Sequence, residues 1–379
     1  MSSARDRCVA DAHAICAIPA PTGEEARRGA WIAARLAESG LDPRRDALGD
    51  VTVRFGGDGP ALVVAAHMDI VFAGVEEIEP RHDVATIHAP GIGDNSLGVA
   101  ALIELARAAA ELDWAGRRPL VLAATVGEEG LGNLRGVNAV LDATDCAELV
   151  AIEGGFQEQL IVGGVGSRRF EVTVSARGGH SWLDRGEPSA VHALVALLAG
   201  TVDGCPARSV NVGEIAGGTG VNVIAASASA RVEFRDVAES RLAAAERRLR
   251  RAAHSAERLP RATARRDGDD ALTVAIAELG VRPAGRTARR HPLVRDALRA
   301  RRLAGLSQPE LTTSSTDANA ALGRGIPALT VGMATNHGPH TLAEHVDTTG
   351  LDRALAALKT LADLRTAPAA APGQDARRR

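Results

Sequence analysis

The chain has 379 residues, 45% of them hydrophobic and 24% charged, with a formal net charge of -3 at pH 7. That length exceeds one ordinary core and predicts two domains, or one interrupted by another, while the near-neutral charge and an aromatic content of 2% exclude a basic, aromatic-studded nucleic-acid platform. No stretch reaches the roughly 18 to 20 apolar residues that span a bilayer, and Lys359 is the only lysine, so no P-loop or Schiff-base lysine is available elsewhere. Cys8, Cys16, Cys146 and Cys205 have no CxxC spacing and no signal-like segment opens the chain, so a reduced, cytoplasmic setting is expected.

Residues 6 to 18 and 24 to 40 read as helices, parted by the Pro19-Ala-Pro-Thr-Gly23 breaker. From 51 to 165, short Val, Leu and Ala-rich strands alternate with helical segments such as Gly98 to Leu112, which predicts an α/β domain with a mainly parallel sheet. Past residue 166 the pattern changes. Phe170 to Val174 and Ala230 to Phe234 alternate with period two, and Pro188 to Val202 and Ala238 to Glu257 are helical. That order predicts an inserted α+β, ferredoxin-like domain over 166 to 282, with the first domain (1 to 165) completed by 283 to 365. An Ala/Pro-rich tail over 366 to 379 is expected to be disordered. The arginines around Arg247 and Arg251 read as a solvated helix face, with Leu242 and Leu249 packed inward.

Chemistry-bearing residues follow the apolar runs. His67 and Asp69 come after Ala61 to Ala66, Glu128 and Glu129 after Leu120 to Val126, Glu153 after Leu149 to Ile152, and His340 just beyond Ile326 to Gly332. In an open α/β sheet the carboxyl ends of the strands form the crevice where ligands bind, so these residues predict one active site. Histidines and carboxylates without cysteine suit a pair of borderline or hard divalent ions, zinc first. Asp69, two residues after His67, is placed to hold the other imidazole nitrogen. Asp94, in the tight loop Ala89-Pro-Gly-Ile-Gly-Asp-Asn95, reads equally as a helix cap or as a carboxylate offering one oxygen to each of two metals. The adjacent Glu128 and Glu129 repel one another unless positive charge offsets them; one is suited to ligation and the other to general-base work. A serine hydrolase using Ser314 or Ser315 is excluded by the lack of a G-x-S-x-G elbow.

The order HxD, GDN loop, EE-G, EGG, a central GGH, GG-x3-N-V-I, S-T-D-A and G-x-H-x3-E resembles the M20 metallopeptidase family over about residues 10 to 360. The resemblance implies an amide hydrolase with a lid that also dimerises, two Zn2+ (or Co2+ or Mn2+), and small peptides or N-acyl amino acids as substrates. It implies His67, Asp94 and Glu153 around one ion and Asp94, Glu129 and His340 around the other, although which carboxylate serves which ion is not readable from sequence. It further implies Glu128 as the base, Asp69 as orienter of His67, His180 as the oxyanion donor from the lid, and Asn222 and Arg235 as substrate contacts. Two departures stand out: the family's loop lysine is absent, Ser96 standing near its place, and Ala225 replaces the usual proline after N-V-I. The Asp94 to Gly98 spacing resembles peptidase T, whereas Glu153 in place of aspartate resembles the carboxypeptidases and deacylases, so a peptidase T-like aminopeptidase stays open as the alternative. A metal-dependent binding protein without catalysis is the reading from another class, and the presence of Glu128 argues against it.

Overall fold

The structure is a computed structural model and describes residues 3–203, 205, 209–258 and 272–368. It divides into two units, one of residues 1–164 and 285–379, the other of residues 165–284.

In the larger unit a nine-stranded sheet has four parallel strands at its centre, in the order Leu120–Thr125, Ala61–His67, Cys146–Glu153, Ala328–Gly332. Antiparallel neighbours flank them, Val51–Phe55 on one side and Gln159–Gly164 on the other. Every residue of Ala61–His67 and of Leu120–Thr125 is buried, because both faces of the sheet are covered. Alternate side chains enter two separate cores: Leu62, Val64 and Ala66 pack with the helices Ala4–Cys16, Leu97–Ala110 and Leu351–Thr366, whereas Ala61, Val63 and Ala65 pack with Val137, Leu141 and Ala321. With few aromatic side chains in the sequence, alanine and branched aliphatics fill the space between sheet and helices. The central parallel sheet agrees with the α/β expectation.

The smaller unit runs strand, helix, strand, strand, helix, strand through Gly166–Ser175, Ala190–Val202, Val210–Gly217, Ser227–Asp236, Glu239–Arg258 and Thr273–Arg282. Its antiparallel sheet takes these strands in the spatial order second, third, first, fourth, the split arrangement of ferredoxin-like folds. Phe170 and Phe234 meet edge to face on the buried side of this sheet, ring centroids 6.2 Å apart, with Leu194, Leu197, Leu242 and Leu249 from the two helices. A two-stranded ribbon, Gly179–His180 against Val223–Ile224, lies outside the four-stranded sheet.

The tail departs from its expected start. Thr366 closes the helix Leu351–Thr366, buried, its hydroxyl donating to the Ala362 carbonyl at 2.8 Å. Pro368 supplies the stop, since the residue before a proline is pushed out of helical conformation. The rest of the expected tail, from residue 369, lies outside the described residues. The four cysteines are unpaired, and among the described residues no helix is long and apolar enough to cross a membrane.

Candidate metal centre

Each of the four central strands delivers a functional side chain at or just beyond its carboxyl end. His67 is the last residue of its strand and Glu153 the last of its own; Glu128 and Glu129 follow Leu120–Thr125, and His340 follows Ala328–Gly332 after a short strand, Thr335–His337. Parallel neighbours end on the same side of a sheet, so these residues gather in one crevice. Asp94 reaches it from the turn ahead of the helix Leu97–Ala110.

Asp94 is the hinge of the arrangement. Its Oδ1 lies 3.0 Å from His67 Nε2 and its Oδ2 lies 3.0 Å from His340 Nε2, so each oxygen faces a different histidine. Glu153 Oε2 stands 3.7 Å from His67 Nε2, and Glu129 Oε1 stands 3.4 Å from His340 Nε2. Donor atoms about 2.0 Å from one tetrahedral ion are about 3.3 Å from each other, and the four separations bracket that value. In both groups, His67 with Asp94 and Glu153, and Asp94 with Glu129 and His340, the ligand atoms lie within 4.8 Å of one another. Glu129 Oε1 is moreover buried and makes no well-formed hydrogen bond, His340 Nε2 at 3.4 Å being its cationic neighbour, and a carboxylate oxygen so placed is stabilised by a cation. Two imidazoles and two further carboxylates around the shared Asp94 carboxylate fit a pair of divalent cations.

The electrostatics carry the same message. Burial opposes charge on His67, yet Asp69, Asp94 and Glu153 raise its pKa well above the usual imidazole value. Asp94 is half-buried and burial opposes its charge as well, but the two histidines hold it far below the ordinary carboxylate range. Burial, with Asp94 nearby, pushes Glu153 upward against the pull of His67. The side chains of Asp94 and Glu129 push His340 up to about 10. The histidines thus hold protons where cations belong, and metal binding would displace them.

Asp69 does more than face His67. The His67 Nδ1 is 3.2 Å from the Asp69 carbonyl and 3.5 Å from its Oδ1. The Asp69 carboxylate itself accepts from the backbone N–H of Glu128 at 3.0 Å and of Glu129 at 2.9 Å, and from the Thr22 hydroxyl at 2.8 Å. Burial disfavours its charge, but His67 and these donors keep its pKa at about 2. One buried carboxylate therefore fixes both the His67 ring and the Glu128-Glu129 turn.

Three further positioning groups escaped the sequence reading. Asn95 donates to the Ile152 carbonyl at 2.7 Å and accepts from Gly154 N–H at 2.7 Å, gripping the chain on both sides of Glu153. Glu344, from the segment that carries His340, accepts from the N–H groups of Gly91 at 2.7 Å and Gly93 at 3.0 Å, and from Asn336 at 3.1 Å. Burial, reinforced by Asp94, raises the Glu344 carboxyl to about 7 against those donors. Arg28, fully buried, donates to the carbonyls of Met68 at 2.8 Å and Ile18 at 2.6 Å, tying the strand end to the loop before it. Glu344 closes the G-x-H-x3-E pattern and Asn95 the GDN loop, which were the signals available for them; Arg28 gave none.

The remaining expected residues belong to the smaller unit. His180 and Asn222 sit together on the two-stranded ribbon, where Ser181 N–H donates to the Asn222 carbonyl at 3.0 Å. The His180 Nδ1 accepts from the N–H of Trp182 at 3.2 Å and of Leu183 at 3.3 Å, which leaves the proton of a neutral ring on Nε2. Asp184, also missed, accepts the His180 N–H at 2.7 Å. Arg235 is not with them. It lies near the far end of Ser227–Asp236, paired to Glu233 at 2.9 Å and opposite Ser167, where the chain enters the unit. The eight residues from Ser227, at about 3.3 Å each, separate it from the ribbon end of the strand by roughly 26 Å.

A mainly parallel α/β sheet with a dinuclear-type ligand set at its carboxyl edge defines a metal-dependent hydrolase of peptide or other amide bonds. The sequence profile of peptidase family M20/M25/M40 matches residues 63–364, and the chain belongs to that family. No curated protein matches the chain significantly. Among solved structures, the fold resembles a tripeptidase from Staphylococcus aureus (TM-score 0.77, 19% identity, 95% of this chain and 98% of that one). It also resembles aminopeptidase PepT from Bacillus cereus (TM-score 0.75, 19% identity, 95% and 98%). A third is the YxeP protein of Bacillus subtilis, a dinuclear metal-binding peptidase of the M20 family (TM-score 0.68, 16% identity, 97% and 99%).

Proposed function

We propose that the chain hydrolyses an amide bond in a small peptide or N-acyl amino acid with two zinc ions, cobalt or manganese being the substitutes. His67, Asp94 and Glu153 hold one ion, and Asp94, Glu129 and His340 the other. The observation that carries this reading is Asp94, with one oxygen 3.0 Å from each histidine. When bound, such a pair of cations supplies Lewis acidity that polarises the scissile carbonyl and makes water nucleophilic near neutral pH.

Glu128 is the general base. Its backbone is pinned to Asp69, and it is buried beside the ligand Glu129. It takes one proton from the attacking water as the water oxygen bonds to the carbonyl carbon, then gives that proton to the amine as the C–N bond breaks. The products are an amine and a carboxylic acid, which ionises by passing water's second proton to the released amine or to solvent, and no other reactant is consumed. His180 donates its Nε2 proton in a hydrogen bond to the developing oxyanion, and Asn222 contacts the substrate beside it.

Arg235 reads a substrate carboxylate. A dipeptide is only about 7 Å from one Cα to the far end of the next residue, so one unit's ribbon and its Arg235, roughly 26 Å apart along the strand, cannot both touch it. This separation supports a homodimer in which the ribbon histidine serves the partner's substrate.

The test is hydrolysis of one dipeptide in free, N-acetylated and C-amidated forms by zinc-loaded protein, with Glu128→Gln as control. Glu128→Gln is expected to bind both ions and lose turnover by about 10²- to 10⁴-fold. Cleavage that survives acetylation but not amidation supports the carboxylate-reading enzyme and the role of Arg235. The opposite pattern makes it an aminopeptidase. No cleavage of any form with two ions bound sinks the proposal.

A further inference from the structure

Phe156 is an unusual residue in an unusual place. The chain has five Phe and no Tyr, yet this ring is 38% exposed. Its backbone is left-handed, φ 62°, a region that bulky side chains seldom enter. The conformation is imposed from both sides: Gly155 N–H donates to the Gly93 carbonyl at 3.0 Å and Gln157 N–H to the Ala334 carbonyl at 3.0 Å. The turn lies so flat on the strand end that a Cβ on Gly332 would overlap the backbone of Gly155 and Phe156. Phe156 is thus held one residue beyond a hydrogen bond to the neighbour of Asp94, and three residues beyond Glu153.

Two other exposed apolar side chains have the same relation to the ligands. Leu131, 54% exposed, follows Glu129 by two residues, and Leu342, 71% exposed, follows His340 by two. Consecutive residues advance at most about 3.6 Å, so both lie within about 7 Å, Cα to Cα, of a ligand residue. Among the described residues of the larger unit six large apolar side chains are exposed, and these three each trail a different ligand. Isolated apolar residues on a surface are ordinary, but three that each follow a different candidate ligand by two or three residues are not scattered.

We infer that Phe156, flanked by Leu131 and Leu342, forms an apolar rim that selects substrates with a large apolar side chain next to the scissile amide. The inference rests on the amide-hydrolase reading and narrows its substrate class. Covering the rim with a leucine or phenylalanine side chain removes apolar surface from water on both partners, whereas a serine or glutamate side chain gains nothing there.

The experiment compares kcat/KM for X-Gly and Gly-X dipeptides, X being Ala, Ser, Glu, Leu or Phe, in wild type and Phe156→Asn. Asparagine tolerates the left-handed backbone, so the turn is kept while the ring is removed. In one of the two series wild type is expected to prefer Leu and Phe over Ser by about 10- to 200-fold, and the variant to lose at least about tenfold of that ratio, with metal content unchanged. Equal loss across the series, or an unchanged ratio, overturns the rim. Calorimetric binding of the same peptides with a –CH2–NH– linkage separates the two readings. A protein that cleaves nothing but binds with an apolar preference that Phe156→Asn abolishes keeps the rim and loses the hydrolase reading; no apolar preference in either assay overturns the rim. Should Phe156→Asn fail to fold, Leu131→Ser and Leu342→Ser, both at exposed positions, are expected to shift the same ratio in the same direction, and no shift in either overturns the rim.

Discussion

The metal centre and the His180 ribbon achieve precision in opposite ways. In the larger unit His67, Glu129 and Glu153 are buried at or just beyond strand ends, with Asp94 half-buried and His340 exposed beside them, and a second set of buried groups, Asp69, Asn95 and Glu344, bonds to the backbone beside nearly every one of them. On the ribbon His180 is exposed and is held by its own turn, through Trp182, Leu183 and Asp184. The contrast teaches that this chain places buried polar groups where charge must be concentrated, and leaves the histidine proposed as oxyanion donor on a local, solvent-facing device. Buried networks are costly when half satisfied, so damage to the first should appear as lost metal and stability, and damage to the second as lost turnover alone.

The largest expected break is on the ribbon side. His180→Ala should lower kcat by about 10²- to 10³-fold without changing metal content. Mixing that variant with Glu128→Gln should restore activity if His180 serves the partner's site, since one hybrid site then has both groups. Hybrids that remain inactive would place His180 in its own subunit's reaction and remove the argument for the dimer drawn from Arg235. Equal loss of metal and turnover in His180→Ala would erase the comparison itself.

An intermediate effect sharpens the buried side. Glu344→Ala releases Gly91 and Gly93 and should weaken one or both ions by about 10- to 100-fold, measured by competition with a chelator. The ion at Asp94, Glu129 and His340 should suffer more, because Glu344 belongs to the segment that carries His340. Unchanged affinities would show that Asp94 needs no support from that segment.

A separate effect concerns stability, away from the ligands. Asp50 is fully buried; its Oδ1 accepts from Val126 N–H at 2.8 Å while Oδ2 has no partner. Burial raises its carboxyl from 3.8 to about 8. The folded state therefore favours the protonated acid, so the stability it contributes is complete below about pH 4 and is lost as pH rises toward 8. The linkage ceiling is on the order of 5 kcal/mol. Denaturant titrations from pH 5 to 9 should show wild type weakening across that window and Asp50→Asn with a flatter profile; parallel profiles would mean that Asp50 stays charged in the fold.

Local signals made much of this legible. Val, Leu and Ala runs of strand length, separated by helical periodicity, were enough for a parallel sheet, and residues placed just after them were enough for a crevice at its carboxyl edge. The ribbon histidine and Asn222 were readable only as motif positions, because nothing in their composition separates them from a surface turn. The long separation of Arg235 from them was invisible, since sequence distance says nothing about which end of a strand a residue occupies until the sheet is assembled. The last helix runs one residue into the expected tail, because an Ala-rich tail and an Ala-rich helix share their composition.

By itself, then, the sequence determined the kinds of atoms available for metal, the alternation of strand and helix, and the strand ends where those atoms emerge, since each follows from short-range patterns of burial and polarity. Only the tertiary structure decided that Asp94 turns one oxygen to each histidine, that Asp69 holds two glutamate backbones, that Glu344 grips the Asp94 turn, and that Phe156 is forced outward. Those are contacts between residues up to some 250 positions apart in the chain, and hydrogen bonds of 3 Å at such separations exist only once the sheet has fixed where every strand ends.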